Sequence, residues 1–199
     1  MARLRRSFYE GRADRVARAL LGKRLVRVRE GRRLAGVIVE TEAYRGTRDP
    51  GSHAYRGRKP RNAVMFGDPG HAYLYFTYGN HWMLNLTCEP SQRPAAVLIR
   101  ALEPSEGVAL MKRNRRVEEE VEIASGPGKL AKALGLDGAL NGEDVVTSRR
   151  LFVEDGLSAG RIGVSSRVGL SEGWERKWRF YIAGNRFVSR GKPSLPRKP

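Results

Sequence analysis

The run Val39-Glu40-Thr41-Glu42-Ala43-Tyr44 offers the first chemistry in the chain. Along a regular strand Ile38, Glu40, Glu42 and Tyr44 share one face, and Val37, Val39, Thr41 and Ala43 the other. Two carboxylates and a phenol then stand on one side. Most acidic residues on strands face water or pair with arginines. Here the opposite face, with two valines and an alanine, looks no more buried than theirs, so a proton-handling role stays open. Arg100 interrupts the apolar run Ala95 to Leu102. An arginine inside a buried strand needs a carboxylate or a phosphate, and Glu42 is a candidate partner.

Aromatics gather next, with Tyr73, Tyr75, Phe76, Tyr78 and Trp82 in one segment. Strands favour aromatics, and Tyr73 and Phe76 are expected in the core. Tyr78 directly precedes Gly79-Asn80, a two-residue hairpin turn, and so stands at the tip, where burial in its own domain is hard. There it is a candidate for stacking on a base or wedging into a helix. Gly126-Pro127-Gly128-Lys129 lacks the glycine spacing of a phosphate loop, and Leu130 stands where a Ser or Thr would hold magnesium, which excludes a nucleotide triphosphatase. A weaker expectation remains, that this helix start and Lys129 take a backbone phosphate. His53, His71 and His81 lack the i, i+4 spacing of helical zinc motifs, and with Cys88 the only cysteine, neither a metal, a cofactor nor a disulfide is expected.

The elements that must position these groups are legible from pattern. Ser7 and Glu10 have capping-box spacing, and Val16, Ala17, Leu20 and Leu21 form a helical stripe that Gly22 ends, with Arg12, Arg15 and Arg18 on the polar side. Lys23 to Glu30 and Leu34 to Tyr44 read as two antiparallel strands joined at Glu30-Gly31. Thr47 to Pro69 reads as a long irregular segment of the kind that carries function. His71 to Cys88 is a β-hairpin, Ala95 to Leu102 a mostly buried strand, and Ser105 to Arg116 a helix ending in basic residues. Glu118 to Glu122 is a solvated acidic face. A short helix, Lys129 to Leu134, closes at Gly135, and Arg161 to Val164 and Arg179 to Ile182 are late strands. The tail from 191 to 199 reads as frayed. The fold class is mixed α/β (α+β), a single domain over 1–199 with a curved, mostly antiparallel sheet flanked by helices and a protruding hairpin.

The chain has 199 residues, with 38 Lys and Arg against 21 Asp and Glu and a net charge of +17. Such an excess goes beyond what solubility needs and draws the protein onto a polyanion, so nucleic acid is the expected partner. No apolar stretch matches a bilayer crossing and the first twelve residues lack a signal-peptide core, so no membrane partner is expected and the cytoplasm is the default location.

At this point the sequence resembles the alkyladenine (3-methyladenine or methylpurine) DNA glycosylase family. The resemblance runs through Val39-Glu40-Thr41-Glu42-Ala43-Tyr44, His53, Pro60-Arg61-Asn62, Met65-Phe66, Tyr73-Leu74-Tyr75, Tyr78-Gly79 and Asn85. It continues through Leu98-Ile99-Arg100-Ala101-Leu102-Glu103-Pro104, Ser125-Gly126-Pro127 with Lys129-Leu130, Arg161-Ile162-Gly163-Val164 and Arg179-Phe180-Tyr181. It implies a monofunctional enzyme of base-excision repair, with double-stranded DNA containing damaged purines as partner. By this resemblance Glu42 is the general base for a water that attacks the sugar C1′, and Arg100 and the carbonyl of Ile162 hold that water. Tyr44, His53 and Tyr75 wall the base pocket, Asn85 filters out normal guanine, and Tyr78 plugs the gap left by the flipped nucleotide, with Arg61, Met65 and Lys129 on the DNA. One departure is Asn80, at a tip position where relatives often carry an apolar residue such as Met.

Residue chemistry supports these roles independently. Electron-poor alkylated purines stack well on aromatic walls, and cleaving a glycosidic bond builds positive charge that a nearby carboxylate stabilises. No lysine stands in the pocket-forming set, so hydrolysis without strand cleavage is expected. Which of 3-methyladenine, 7-methylguanine, hypoxanthine and ethenoadenine is preferred is not written in the sequence. A monomer suits a protein that slides along DNA. Two alternatives compete: a non-catalytic binder of distorted DNA, which has no use for Glu42, and an RNA-binding protein, which would need an RNP-like pattern that is not found.

Overall fold

The computed structural model describes residues 1–77 and 79–194. Its sheet begins with β1 (Arg24–Arg29) and β2 (Arg32–Tyr44), joined through Glu30 and Gly31, both at positive φ (52° and 72°). That backbone suits a tight hairpin, because its twist matches that of the flanking strands. β3 (Ala72–Thr77) and β4 (His81–Thr87) form the second hairpin, followed by β5 (Ala96–Glu106), β6 (Leu151–Glu154), β7 (Ile162–Ser165) and β8 (Arg179–Ile182). The strand order is β3-β4-β5-β2-β1-β6, with β8 against the second half of β2 and β7 against β8. All of these pairings are antiparallel. β2 is therefore the spine: β5 runs along one edge, while β1 and then β8 share the other.

Among the described residues four α-helices flank the sheet: α1 (Ala13–Leu20), α2 (Val108–Arg115), α3 (Val121–Ala124) and α4 (Pro127–Leu134). Val16, Ala17 and Leu20 of α1 and Leu130, Ala131 and Leu134 of α4 enter one core with Leu25, Leu34, Ile38, Leu84, Leu86, Val97 and Ile99. Cutting one of these leucines to alanine costs about 2–5 kcal/mol. The architecture is the mixed α+β, antiparallel-sheet fold that the sequence predicts.

A local irregularity decides which side chains share a face. Ile38 pairs with Leu102, Glu40 with Ala101 and Thr41 with Ile99, so Val39 and Arg100 lie at register shifts on facing strands. An extra residue in a strand re-aims the side chains around it. Ile38 consequently joins the main core, where Thr41 Oγ1 also donates to the Ala17 carbonyl at 2.9 Å. Val39 and Ala101 pack with Phe187 in a separate cluster. Simple alternation puts Ile38 beside Glu40, and the structure corrects this.

Other expectations are also revised. Ser7 does not cap the first helix but lies in a 3-10 turn, Arg6–Phe8; the amide of Ala13 finds its acceptor in Glu89 Oε1, 3.2 Å away, from a distant loop. Ser105 and Glu106 belong to β5 rather than to a helix, because Ala35 on β2 pairs with Glu106; α2 starts after Gly107. Phe76 is 51% exposed on β3 and not in the core, while Tyr73 is buried. The segment after Gly191 is held at least to Ser194: Pro193 bridges Val168, Ser194 donates its amide to the Arg167 carbonyl at 2.8 Å, and its Oγ accepts from the Leu170 amide at 2.7 Å. Tyr78 and the last five residues lie outside the described residues. Among the described residues no helix is long and apolar enough to cross a membrane.

Candidate active site

Glu40, Glu42 and Tyr44 come from the second half of β2, and Arg100 from the facing irregularity in β5. Glu42 is fully buried. Its Oε1 accepts from the Val168 amide at 2.7 Å and lies 3.3 Å from Arg100 Nη1, while Oε2 accepts from the Tyr44 hydroxyl at 2.8 Å. Two hydrogen bonds and one ion pair thus converge on one carboxylate. Tyr44 is pushed well above the ordinary phenol range, first by burial and then by the charge of Glu42, so it stays protonated and donates.

Glu40 has a separate set of partners. Its Oε1 accepts from Arg100 Nε at 2.8 Å, Arg179 Nε at 2.7 Å and Ser189 Oγ at 2.9 Å, and its Oε2 from the Ser189 amide at 2.7 Å. Burial alone would raise its pKa, but Arg100 and Arg179 outweigh burial and hold it below the usual carboxylate range. Arg100 is shared by both carboxylates. Burial works against its charge, yet Glu42 and Glu40 together raise its pKa further.

In front of this network lies a cavity of about 300 Å³, at the small end of ligand pockets, which run roughly 300–1,000 Å³. Tyr44, Arg100 and Val168 line it, so Glu42 sits directly behind three lining groups. The aromatic wall comes from β3 and the irregular segment before it. His53 meets Tyr75 edge-on at 4.4 Å between ring centres, and Tyr73 and Tyr75 lie 5.5 Å apart. His53 Nδ1 is 2.9 Å from the Tyr73 hydroxyl and Nε2 is 3.2 Å from Arg61 Nη2. Because a guanidinium only donates, Nε2 must accept, which puts the proton of the neutral ring on Nδ1, facing Tyr73. Burial first, and the charge of Arg61 second, lower the His53 pKa to about 4.

The loop carrying His53 is held by Asn62, itself 1% exposed. Its Nδ2 donates to the carbonyls of His53 at 2.8 Å and Gly57 at 3.1 Å, and its Oδ1 accepts from the Lys59 amide at 2.6 Å. Asn85 is buried on β4, lines the cavity, and donates from Nδ2 to the Tyr73 carbonyl at 3.2 Å.

The sequence-derived residues therefore divide. Tyr44, His53, Tyr75, Asn85 and Arg100 line one cavity, with Glu42 behind it. Met65 lines it too, as a buried wall residue, 3% exposed, packed with Ala54, Tyr73 and Ala96. Arg61 is exposed beside His53. Lys129 is ion-paired with Glu122, while Pro127 from the same helix start lines the cavity. Ile162 does not reach the lining: it sits in β7 opposite Ile182 and packs against the main core. A backbone group that the sequence did not point to, the amide of Val168, donates to Glu42. Sequence reasoning also missed the buried pair Arg167–Asp49, whose guanidinium lies 4.6 Å from the Tyr44 ring. Those partners are 118 residues apart, and no local pattern announces them.

The chain thus presents an antiparallel α+β scaffold with buried carboxylates behind an aromatic cavity. Residues 7–186 match the methylpurine-DNA glycosylase family, and the chain belongs to it. A protein of Methanocella arvoryzae is 48% identical over 194 residues, covering 96% of this chain and 97% of its own. One of Chlorobium phaeovibrioides is 44% identical over 197 residues, covering 98% of this chain and 100% of its own, and one of Rhodopseudomonas palustris is 46% identical over 188, covering 94% and 91%. The names of all three propose a 3-methyladenine DNA glycosylase.

Proposed function

We propose that the protein removes alkylated or deaminated purines from duplex DNA by hydrolysing the bond between base and sugar, with Glu42 as general base. The carrying observation is the Glu42 carboxylate, fixed by Tyr44, Val168 and Arg100 directly behind an aromatic-walled cavity. In this reading the damaged nucleotide swings out of the helix and its base enters between Tyr44, His53 and Tyr75. Stacking on such walls contributes roughly 1–3 kcal/mol per base, and a poorly paired base costs less to extrude. The tip of the β3–β4 hairpin fills the space the nucleotide leaves.

Chemistry then needs one water at the cavity floor. Its oxygen bonds to C1′ as the bond from C1′ to the purine nitrogen breaks, its proton passes to Glu42, and the bonding electrons leave with the base. An alkylated, cationic purine leaves neutral by this route, and a neutral one such as hypoxanthine leaves as an anion that takes a proton from solvent. Arg100, bound to both carboxylates, fixes the direction of Glu42 and lends positive charge beside the developing hydroxyl. Among the described residues none of the cavity-lining groups is a lysine, which favours hydrolysis over a Schiff base with strand cleavage. The net charge of +17 supplies the non-specific hold on DNA.

The test is direct. Duplexes carrying a single hypoxanthine, ethenoadenine or 7-methylguanine are incubated with the protein and analysed with and without alkali. Free base together with a nick that appears only after alkali is expected. Tight binding of the same duplexes with no base released identifies a non-catalytic binder and overturns the proposal.

A further inference from the structure

Arg167 and Asp49 are both fully buried and meet in a two-pronged ion pair, Nη1 to Oδ2 at 2.6 Å and Nη2 to Oδ1 at 2.7 Å. Nη1 also donates to the Ala43 carbonyl at 2.9 Å, and Nη2 to the Gly173 carbonyl at 3.0 Å. The guanidinium carbon stands 4.6 Å from the Tyr44 ring centre and 5.3 Å from that of Trp178. Glycines make room for it: a Cβ at Gly51 would come within 2.9 Å of Nη2, and one at Gly173 within 3.1 Å. The carboxylate of Asp49 in turn accepts from the amides of Arg45 at 3.0 Å and Gly51 at 3.1 Å. One side chain therefore gathers the end of β2, the loop before His53 and the loop from Arg167 to Gly173.

Such a pair is weak evidence of added stability, since desolvating two charges offsets most of their attraction. Arg167 Nε is moreover buried without a hydrogen-bond partner among the described residues, a further penalty. What the arrangement does specify is position. The residue after Arg167 is Val168, whose amide donates to Glu42 Oε1 at 2.7 Å; the residue after Ala43 is Tyr44, whose hydroxyl donates to Glu42 Oε2. Of the two hydrogen-bond donors on the carboxylate, one thus follows Arg167 itself and the other follows Ala43, whose carbonyl Arg167 holds.

We propose that Arg167, braced by Asp49, is a positioning residue that aims the Glu42 carboxylate by fixing the Val168 amide and the Tyr44 ring, without itself touching DNA. The inference rests on the glycosylase reading given above. It assigns to this buried pair a role that shows in the rate of excision.

The decisive comparison uses Arg167→Met, Asp49→Leu and the double variant, with Glu42→Gln and the unaltered protein alongside. Each single variant strands a buried charge and is expected to melt at lower temperature. The double variant removes both charges and is expected to recover most of that melting temperature. Its single-turnover excision rate is expected to stay down roughly 100-fold, the scale of an ångström's misplacement of a catalytic group, while its affinity for lesion duplex stays near that of the unaltered protein. Recovery of rate together with stability would show that the pair only holds the fold, and would overturn the proposal. Unaltered protein that releases no base defeats the glycosylase reading itself; active protein silenced by Glu42→Gln but indifferent to loss of Arg167 defeats only this inference.

Discussion

Replacing Glu40 by glutamine separates the two neighbouring carboxylates of β2. All four contacts on Glu40 are hydrogen bonds that it accepts, two from guanidinium groups and two from Ser189. A glutamine with its oxygen at the Oε1 position turns its NH₂ onto the Ser189 amide, which is also a donor. Flipped, it turns the NH₂ onto Arg100 and Arg179. Neither orientation is satisfied, and two buried cations lose their shared counter-charge. Arg100 keeps Glu42 at 3.3 Å, and Arg179 keeps neutral partners: Ser165 Oγ at 3.2 Å, the Ser189 carbonyl at 3.4 Å and the Tyr181 ring at 4.9 Å. Breaking a buried pair costs about 3–5 kcal/mol. At roughly 2–4 °C per kcal/mol for a chain of this size, Glu40→Gln is expected to lower the melting temperature by roughly 6–20 °C at pH 7. The sign with pH follows from the lowered native pKa: the unfolded chain binds this proton first, so the stabilisation is complete above about pH 4.3 and lost as pH falls through the lower native value. Thermal melts of both proteins from pH 3 to 8 should therefore converge at the acid end. A variant that melts within a degree or two of the parent at pH 7 would refute the reasoning.

Two further outcomes follow from the same geometry. With His53 lowered to about 4 against about 6.5 in the unfolded chain, the unfolded state takes up a proton in that window, so stability rises with pH between these values; His53→Asn should flatten that part of a stability–pH curve. Exposed Arg61, next to the cavity wall, should contact phosphate. Arg61→Gln is expected to reduce the slope of log affinity against log salt by about 0.9, whereas Lys129→Gln, already committed to Glu122, should change it little; titrations at several salt concentrations decide both.

Much of the frame was legible in the chain because it is local. Glu30-Gly31 and Gly79-Asn80 between alternating runs mark both hairpins, and the stripe Val16-Ala17-Leu20 marks α1. What escaped depends on distant partners. The cap of α1 comes from Glu89, and β5 runs on through Glu106 because β2 pairs with it there. The register shifts at Val39 and Arg100 exist only as a relation between two strands, so strict alternation misplaced Ile38. β6, four buried residues from Leu151 to Glu154, is too short to announce itself and takes its form from β1. At the site, Arg100 stood out as a charge inside an apolar strand, while Glu42 and Tyr44 stood out through their shared strand face and the family resemblance. Val168 contributes a backbone amide, which carries no signature, and the Arg167–Asp49 pair spans most of the chain.

Excision by Glu42→Gln, under single-turnover conditions on a duplex with one hypoxanthine, tests the account at its centre. Glutamine fits here as it does not at position 40, because its oxygen can accept from Val168 while its NH₂ donates to the Tyr44 hydroxyl, a group that reverses freely. The variant should fold, bind the duplex as the parent does, and release base roughly 10²–10⁴-fold more slowly, the usual worth of a general base. A folded, DNA-bound Glu42→Gln protein that excises at the parent's rate would contradict the assignment.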